Sequence, residues 1–260
     1  MDTHRRIRIR STSRSIRSAS FRGDGASGGQ QLKPSIGAIA GRCGAGVAIV
    51  LASPVLACAC AAIWLEDGPP FLFRQERVGQ QGRRFNVLKL RSMRAGSGGA
   101  SITKDGDQRI TRVGRFLRKY KLDELPQLWN IVRGDMRWIG PRPEVPRYVN
   151  TSAPEWKEVL TLKPGLTDLA TLVFRDEEKM VRDAADVEQE YRSNILPAKL
   201  ALNIHYARSR TWLSDLKLVI LTIRYSFVRR GFDASRIPKA ILGARAAYTP
   251  VVLPDEASHV

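Results

Sequence analysis

The stretch Val50–Cys60, VLASPVLACAC, lies in the middle of a long apolar run and carries a proline where a membrane span least tolerates one. Cys43 to Leu65 is 23 residues without a charge, enough at about 1.5 Å per residue to cross the roughly 30 Å hydrocarbon core of a bilayer. Three readings compete. A cleaved secretory signal has a short basic start and about 7 to 15 apolar residues, whereas here a long arm precedes a longer run. A straight span must accept Pro54 near its centre and lose the hydrogen bond to the Val50 carbonyl. A helix bent at Ser53-Pro54 divides into arms of about eleven and twelve residues, each roughly 16 to 18 Å long, so each reaches only about halfway across. Flanking charge favours the bend: the preceding arm is arginine-rich, Arg74, Arg77, Arg83 and Arg84 follow, and both flanks prefer the cytoplasmic side. The Ser53 hydroxyl can bond a carbonyl one turn back. The expectation is a re-entrant membrane helix over residues 36–66, broken at Ser53 and Pro54, that enters and leaves by one face.

Around that helix the chain is rich enough in apolar residues, at 43% of 260, to bury a core. Its 43 Lys and Arg against 25 Asp and Glu give a formal charge of +18, which calls for an anionic partner: nucleic acid, an anionic membrane leaflet or a phosphorylated substrate. Cys43, Cys58 and Cys60 all lie in the apolar run, so the polar remainder has no disulfide framework and fits a reducing compartment. His4, His205 and His259 are scattered, which disfavours zinc and leaves a hard cation held by carboxylates. Residues 1–35 read as a basic disordered arm, 67–230 as a cytosolic domain and 231–260 as a weakly patterned tail.

Within the domain, two β-like stretches flank Gly79 and Gly82 and predict a hairpin. Ala95 to Arg109 is a Gly/Ser-rich loop. It leads into ITRVGRFLRKYKLDELPQLWNIVRGD, whose spacing is helical, with Val113, Phe116, Leu117 and Tyr120 on one face. Helices are expected over 187–195, 198–209 and 214–229. The last has an apolar stripe of Leu216, Val219, Ile220, Ile223 and Phe227, read as packing on the core in preference to lying in a membrane interface.

The chemistry concentrates in KYKLDELPQLWN. Asp123 and Glu124 stand side by side just before Pro126, so a helix is expected to start near Asp123 with both carboxylates at its positive end. The bland alternative makes Asp123 an N-cap. Nearby Arg109, Arg112, Arg115, Arg118 and Lys119, and Arg142 fixed between two prolines in GPRPE, alter the balance, because a rigid guanidinium suits bidentate recognition of phosphate. A carboxylate pair among arginines points to phosphoryl chemistry with Mg²⁺, one carboxylate as nucleophile and the other as metal ligand.

Taken together in order, LASPVL, GPPFLFRQERVGQQGRRFNVLKLRSM, DQRITRVGRFLRKYKLDELPQLWNIVRGDM, GPRPE and LKPGLTDLAT resemble the bacterial sugar transferase family, the monotopic phosphoglycosyl transferases, from about Ala45 to Tyr225. The resemblance implies an α-rich α/β monotopic membrane protein: a re-entrant helix, a small β-hairpin and a helical catalytic domain on the cytoplasmic face of the inner membrane. It implies an enzyme that moves a sugar-1-phosphate from a nucleotide diphosphate sugar, usually a UDP-sugar, to polyprenyl phosphate through a covalent aspartyl intermediate, as the first membrane step of surface polysaccharide synthesis. By motif, Asp123 is then the nucleophile and Glu124 the Mg²⁺ ligand, while Lys89, Arg118 and Arg142 bind substrate phosphates. Its partners are polyprenyl phosphate, the nucleotide sugar and the anionic inner leaflet, with no nucleic acid; a homodimer stays open. Two other classes remain to be tested: a basic nucleic-acid-binding protein, from charge alone, and a non-catalytic membrane scaffold. The chain departs from the family in having only Arg42, in GAIAGRCGAG, where members carry a Lys-Arg pair followed by an Asp. Asp168, Arg175 and Glu177 are read as surface structure outside the site.

Overall fold

In the computed structural model, which describes residues 36–94, 96, 102–103, 106–182, 184–228, 233–234 and 236–242, the apolar run is one helix, α1 (Ile36–Asp67), with Pro54 inside it. The proline has no N–H to give the Val50 carbonyl. The Ser53 hydroxyl donates to that same carbonyl at 2.7 Å, so the group that Pro54 orphans is satisfied locally. The most apolar stretch of α1 has a mean hydropathy of 2.3, yet only 11% of it is buried, which sets it apart from the core helix of a soluble protein. It is long and apolar enough to enter a membrane.

Both ends of α1 are held by the same domain. Near its start, the Trp138 indole N–H donates to the Gly41 carbonyl at 2.9 Å, and Arg42 donates to the carbonyls of Val132 and Arg133. Ala45 is buried among Val87, Leu128, Ile131 and Met136. Near its end, Ala59 and Ile63 pack with Leu90 and Leu117, and the Glu66 carboxylate accepts from the backbone N–H groups of Arg112 and Val113 at 2.7 and 2.8 Å. Between these two attachments Val50, Leu51 and Val55 are exposed.

The expected hairpin is present: β1 (Leu72–Val78) and β2 (Arg84–Leu90) pair antiparallel from Leu72↔Leu90 to Val78↔Arg84. The helical stretch that follows is divided. Helix α2 (Arg112–Lys119) ends where Lys121 takes a left-handed conformation (φ 59°), Leu122–Glu124 form a 3-10 turn, and α3 (Gln127–Arg133) begins after Pro126. The expectation that a helix starts near Asp123 is therefore corrected: the carboxylates occupy the turn before α3, not its first turn. The expected face of Val113, Phe116, Leu117 and Tyr120 is present but unevenly covered. Leu117 is buried, whereas Phe116 is exposed and packs on Tyr120 at 4.9 Å between ring centres.

Strand β3 (Arg137–Ile139), helix α4 (Pro154–Val159) and strand β4 (Gly165–Thr167) follow, with β3 and β4 parallel. Gly140 and Gly165 abut so closely that a Cβ on Gly165 would lie 2.1 Å from the Gly140 nitrogen. That approach brings the Pro-Arg-Pro loop against the start of α5 (Leu169–Val173). Next come α6 (Glu177–Met180), α7 (Val187–Glu190), a π-helical stretch over Tyr191–Ile195, α8 (Leu196–Ser209), α9 (Trp212–Phe227) and α10 (Ile237–Leu242). The largest core cluster joins α4, α5, α8, α9 and α10. Ile237 and Ile241 are buried in it, so part of the stretch read as a tail packs on the core. The arm over 1–35 lies outside the described residues, as do 243–260.

Helix α9 corrects another expectation. It packs through Ser214, Leu218 and Tyr225, and leaves Leu216, Ile220, Ile223 and Phe227 exposed. Periodicity identifies an apolar face but not the medium that covers it.

Candidate active site

The site is assembled by side chains that tie backbone segments together. Asn130 on α3 accepts from the Leu88 N–H at 3.1 Å through Oδ1 and donates to the Asn86 carbonyl at 2.8 Å through Nδ2. It thus extends the β2 edge as a further strand would and fixes α3 beside Lys89. On the other side, the Asp168 carboxylate caps α5 by accepting from the Thr171 N–H, and it accepts from the Arg142 N–H at 2.8 Å. This fixes the backbone that aims the Arg142 side chain.

Lys89, Asp123, Glu124 and Arg142 converge on one cavity of about 720 Å³, a size suited to a substrate molecule, and Arg118 lines the same wall. Glu124 is held from two sides. Lys89 Nζ lies 3.3 Å from its Oε1, and the Arg142 guanidinium forms a two-pronged bond, one prong to Oε2 at 3.1 Å and the other to Oε1. Asp123 is only 6% exposed, and its Oδ1 has no hydrogen-bond partner among the described residues. An N-cap carboxylate would be bonded to backbone N–H groups, so the capping alternative fails.

The environment separates the two carboxylates. Burial raises the Asp123 pKa above its usual value, and the charge of Glu124 raises it further. Burial would raise Glu124 as well, but Arg142 and Lys89 outweigh that and hold it well below the usual carboxylate range. Burial brings Lys89 down to about 8 despite the attraction of Glu124. Arg118 is paired with Glu178 of α6 across the cavity wall.

Three residues that the sequence reading set aside belong to the cavity. Asp168 is 1% exposed, and Arg175 and Glu177 line the same space, Glu177 in an ion pair with Lys199. The signal for them was the glycine of GPRPE together with the glycine of PGLTD, whose close approach carries Asp168 to Arg142.

Among the described residues no three His, Cys, Asp or Glu side chains gather as a metal cage. A magnesium ion normally keeps waters and takes one or two carboxylates plus substrate phosphates, so the pair itself is the relevant donor set. A carboxylate offers about four lone-pair positions. On Glu124, Lys89 and Arg142 use those of Oε1 and one of Oε2, which leaves a position on Oε2, so Glu124 can serve as one of the carboxylates such an ion takes.

A model of the family described as bacterial sugar transferase matches residues 35–229. Similar proteins include the UDP-glucose:undecaprenyl-phosphate glucose-1-phosphate transferase of Caulobacter vibrioides, 38% identical over 178 residues, which cover 66% of this chain and 62% of that one. The UDP-N-acetylgalactosamine-undecaprenyl-phosphate N-acetylgalactosaminephosphotransferase of Aeromonas hydrophila is 35% identical over 193 residues, 72% of this chain and 42% of that one. The UDP-glucose:undecaprenyl-phosphate glucose-1-phosphate transferase of Escherichia coli is 32% identical over 191 residues, 70% and 38%. The chain thus spans less than two thirds of the length of each of these relatives. The family match runs from the start of α1 to beyond α9 and takes in the whole carboxylate and arginine site, so the chain belongs to the bacterial sugar transferase family.

Proposed function

We propose that this protein transfers a sugar-1-phosphate from a nucleotide diphosphate sugar, a UDP-sugar by the names of its relatives, to polyprenyl phosphate and releases UMP. The observation that carries this reading is the buried Asp123 with its unpartnered oxygen, set against Glu124, Lys89 and Arg142 in one cavity. The Asp123 carboxylate attacks the sugar-bearing phosphorus, the bond from that phosphorus to the bridging oxygen breaks, and UMP leaves with the electron pair. An oxygen of polyprenyl phosphate then attacks the same phosphorus and returns Asp123 as a carboxylate. Lys89, Arg118 and Arg142 hold the phosphate oxygens and offset their charge. Mg²⁺, held by Glu124 with the donor's phosphates, would supply further charge neutralisation.

The second half-reaction needs a lipid, and α1 supports its delivery at a membrane surface. One domain grips both ends of α1, around Arg42 and around Glu66, while Val50, Leu51 and Val55 stay bare. A helix held this way lowers its middle into the bilayer and keeps both ends on one side, the cytoplasmic face of the inner membrane where nucleotide sugars are found. The excess of positive charge then faces the anionic leaflet.

The test is to incubate the detergent-solubilised protein with polyprenyl phosphate, Mg²⁺ and a panel of UDP-sugars and to measure UMP release. Asp123→Ala should lower transfer by at least about 10³-fold. Retained transfer in that variant would sink the nucleophile assignment. Salt-sensitive RNA or DNA binding without UMP release from any donor would favour the nucleic-acid reading.

A further inference from the structure

The cavity lining falls into two chemically different groups. One holds Asp123, Glu124, Lys89 and the arginines. The other comes from α4, α5 and α8 and from members of the largest core cluster, among them Tyr148, Trp156, Phe174 and Leu200. On α8, Leu196, Lys199, Leu200 and Asn203 fall at i, i+3, i+4 and i+7, which is one face of the helix, and all four line the cavity. Lys199 on that face is engaged by Glu177 and by the Tyr191 hydroxyl. Asn203 is 8% exposed and lines the cavity. A carboxamide on an aromatic-lined cavity wall offers both donors and an acceptor to a ligand.

We infer that this second group of the cavity lining seats the nucleobase of the donor and that Asn203 reads the base edge. The inference rests on the proposed transfer from a nucleotide sugar. Reaction at Asp123 places the diphosphate at the basic group, and a flat heteroaromatic ring suits the aromatic walls of the other. The lipid tail does not suit them, because it must run to the membrane, whereas this group is built from α4, α5 and α8 and not from the exposed face of α1. A carboxamide presents one acceptor and two donors, and so complements the N3–H donor and neighbouring carbonyl acceptor of uracil. An ionised carboxylate accepts only. It would be repelled by the uracil carbonyls and would accept from the exocyclic amine of cytosine.

The test is equilibrium binding of UMP, CMP and inorganic pyrophosphate to the full-length protein in detergent. Asn203→Ala should weaken UMP binding about 10- to 100-fold and leave pyrophosphate binding unchanged. Asn203→Asp, close in shape, should shift the UMP-to-CMP affinity ratio towards CMP; this ratio does not depend on the fraction of protein correctly folded. Equal losses for UMP and pyrophosphate, together with an unshifted ratio, overturn the assignment. So does unchanged UMP binding accompanied by an altered preference among donor sugars, which would make this part of the lining the sugar site, or by an altered KM for polyprenyl phosphate alone. Absence of UMP release with every donor would count against the transferase reading itself, while the UMP-to-CMP ratio would still report on Asn203.

Discussion

Arg42 Nε donates to the Val132 carbonyl at 2.7 Å and Arg42 Nη2 to the Arg133 carbonyl at 3.0 Å, so a guanidinium near the start of the apolar helix caps the C-terminus of α3. The carbonyls there are the negative end of α3, and Gly134, in a left-handed conformation (φ 86°), lies directly beneath the guanidinium. Arg42 is therefore the anchor of this arm. Arg42→Ala is expected to lose about 1–3 kcal/mol and to lower the unfolding midpoint in detergent by roughly 3–10 °C. Arg42→Lys should recover only part of the loss, because an ammonium cannot span both carbonyls as a planar fork does.

The pH dependence follows from the two shifted groups. In the proposed reaction Asp123 must be ionised to attack, and its pKa is raised, so activity is expected to climb as pH passes above the ordinary carboxylate range. In the same proposal Lys89 must be charged to hold phosphate; burial depresses its pKa to about 8, so its cation is lost as pH rises through that value. The rate profile is expected to fall on the alkaline side near pH 8. In Lys89→Arg that fall should move to higher pH, since a guanidinium stays charged, even if the maximal rate is lower. A profile unchanged by the substitution would remove Lys89 from the phosphate site.

Arg118 is engaged by Glu178, a carboxylate on α6 that also lines the cavity, whereas the proposed reaction has Arg118 hold a substrate phosphate. Donor binding must compete with that ion pair. Both side chains are partly exposed, so the effect is modest: Glu178→Gln should lower the KM for the donor about two- to fivefold with little change in kcat. A raised KM would instead make Glu178 a substrate contact.

Much of this site was legible because local pattern carried it. Two short β-like stretches punctuated by Gly79 and Gly82 marked the hairpin, and the charge-free run with Ser53-Pro54 marked α1 and its internal carbonyl repair. The break before α3 was not legible. It depends on Lys121 adopting a positive φ, and nothing in a lysine marks that. Asp168 was set aside because its partner is a backbone N–H 26 residues earlier, a contact made by the long-range approach of Gly140 to Gly165. The sequence placed Asp123 beside Glu124, but only burial and the reach of Arg142 decide which of the two pKa values rises and which falls.

That glycine contact is itself open to test. A methyl group on Gly165 would lie 2.1 Å from the Gly140 nitrogen and 2.5 Å from its oxygen, and both are backbone atoms that cannot swing aside. Gly165→Ala is expected to cost about 3 kcal/mol or more, a fall of roughly 6–12 °C in the unfolding midpoint. Because the displaced loop carries Arg142, residual transfer at permissive temperature should fall more than the folded fraction does.

Topology gives the last prediction. If α1 crossed the bilayer, its two ends would lie about 48 Å apart along the helix axis and on opposite sides, and one domain would have to grip Arg42 and Glu66 across the membrane. No polar domain can do that without burying its backbone in lipid. Reporter tags placed before Ile36 and after Phe73 should therefore be accessible from the same, cytoplasmic, side of intact cells, with impermeant labelling reaching neither from outside. Labelling of one tag alone would make α1 a true span and would separate Arg42 from the α3 carbonyls it caps.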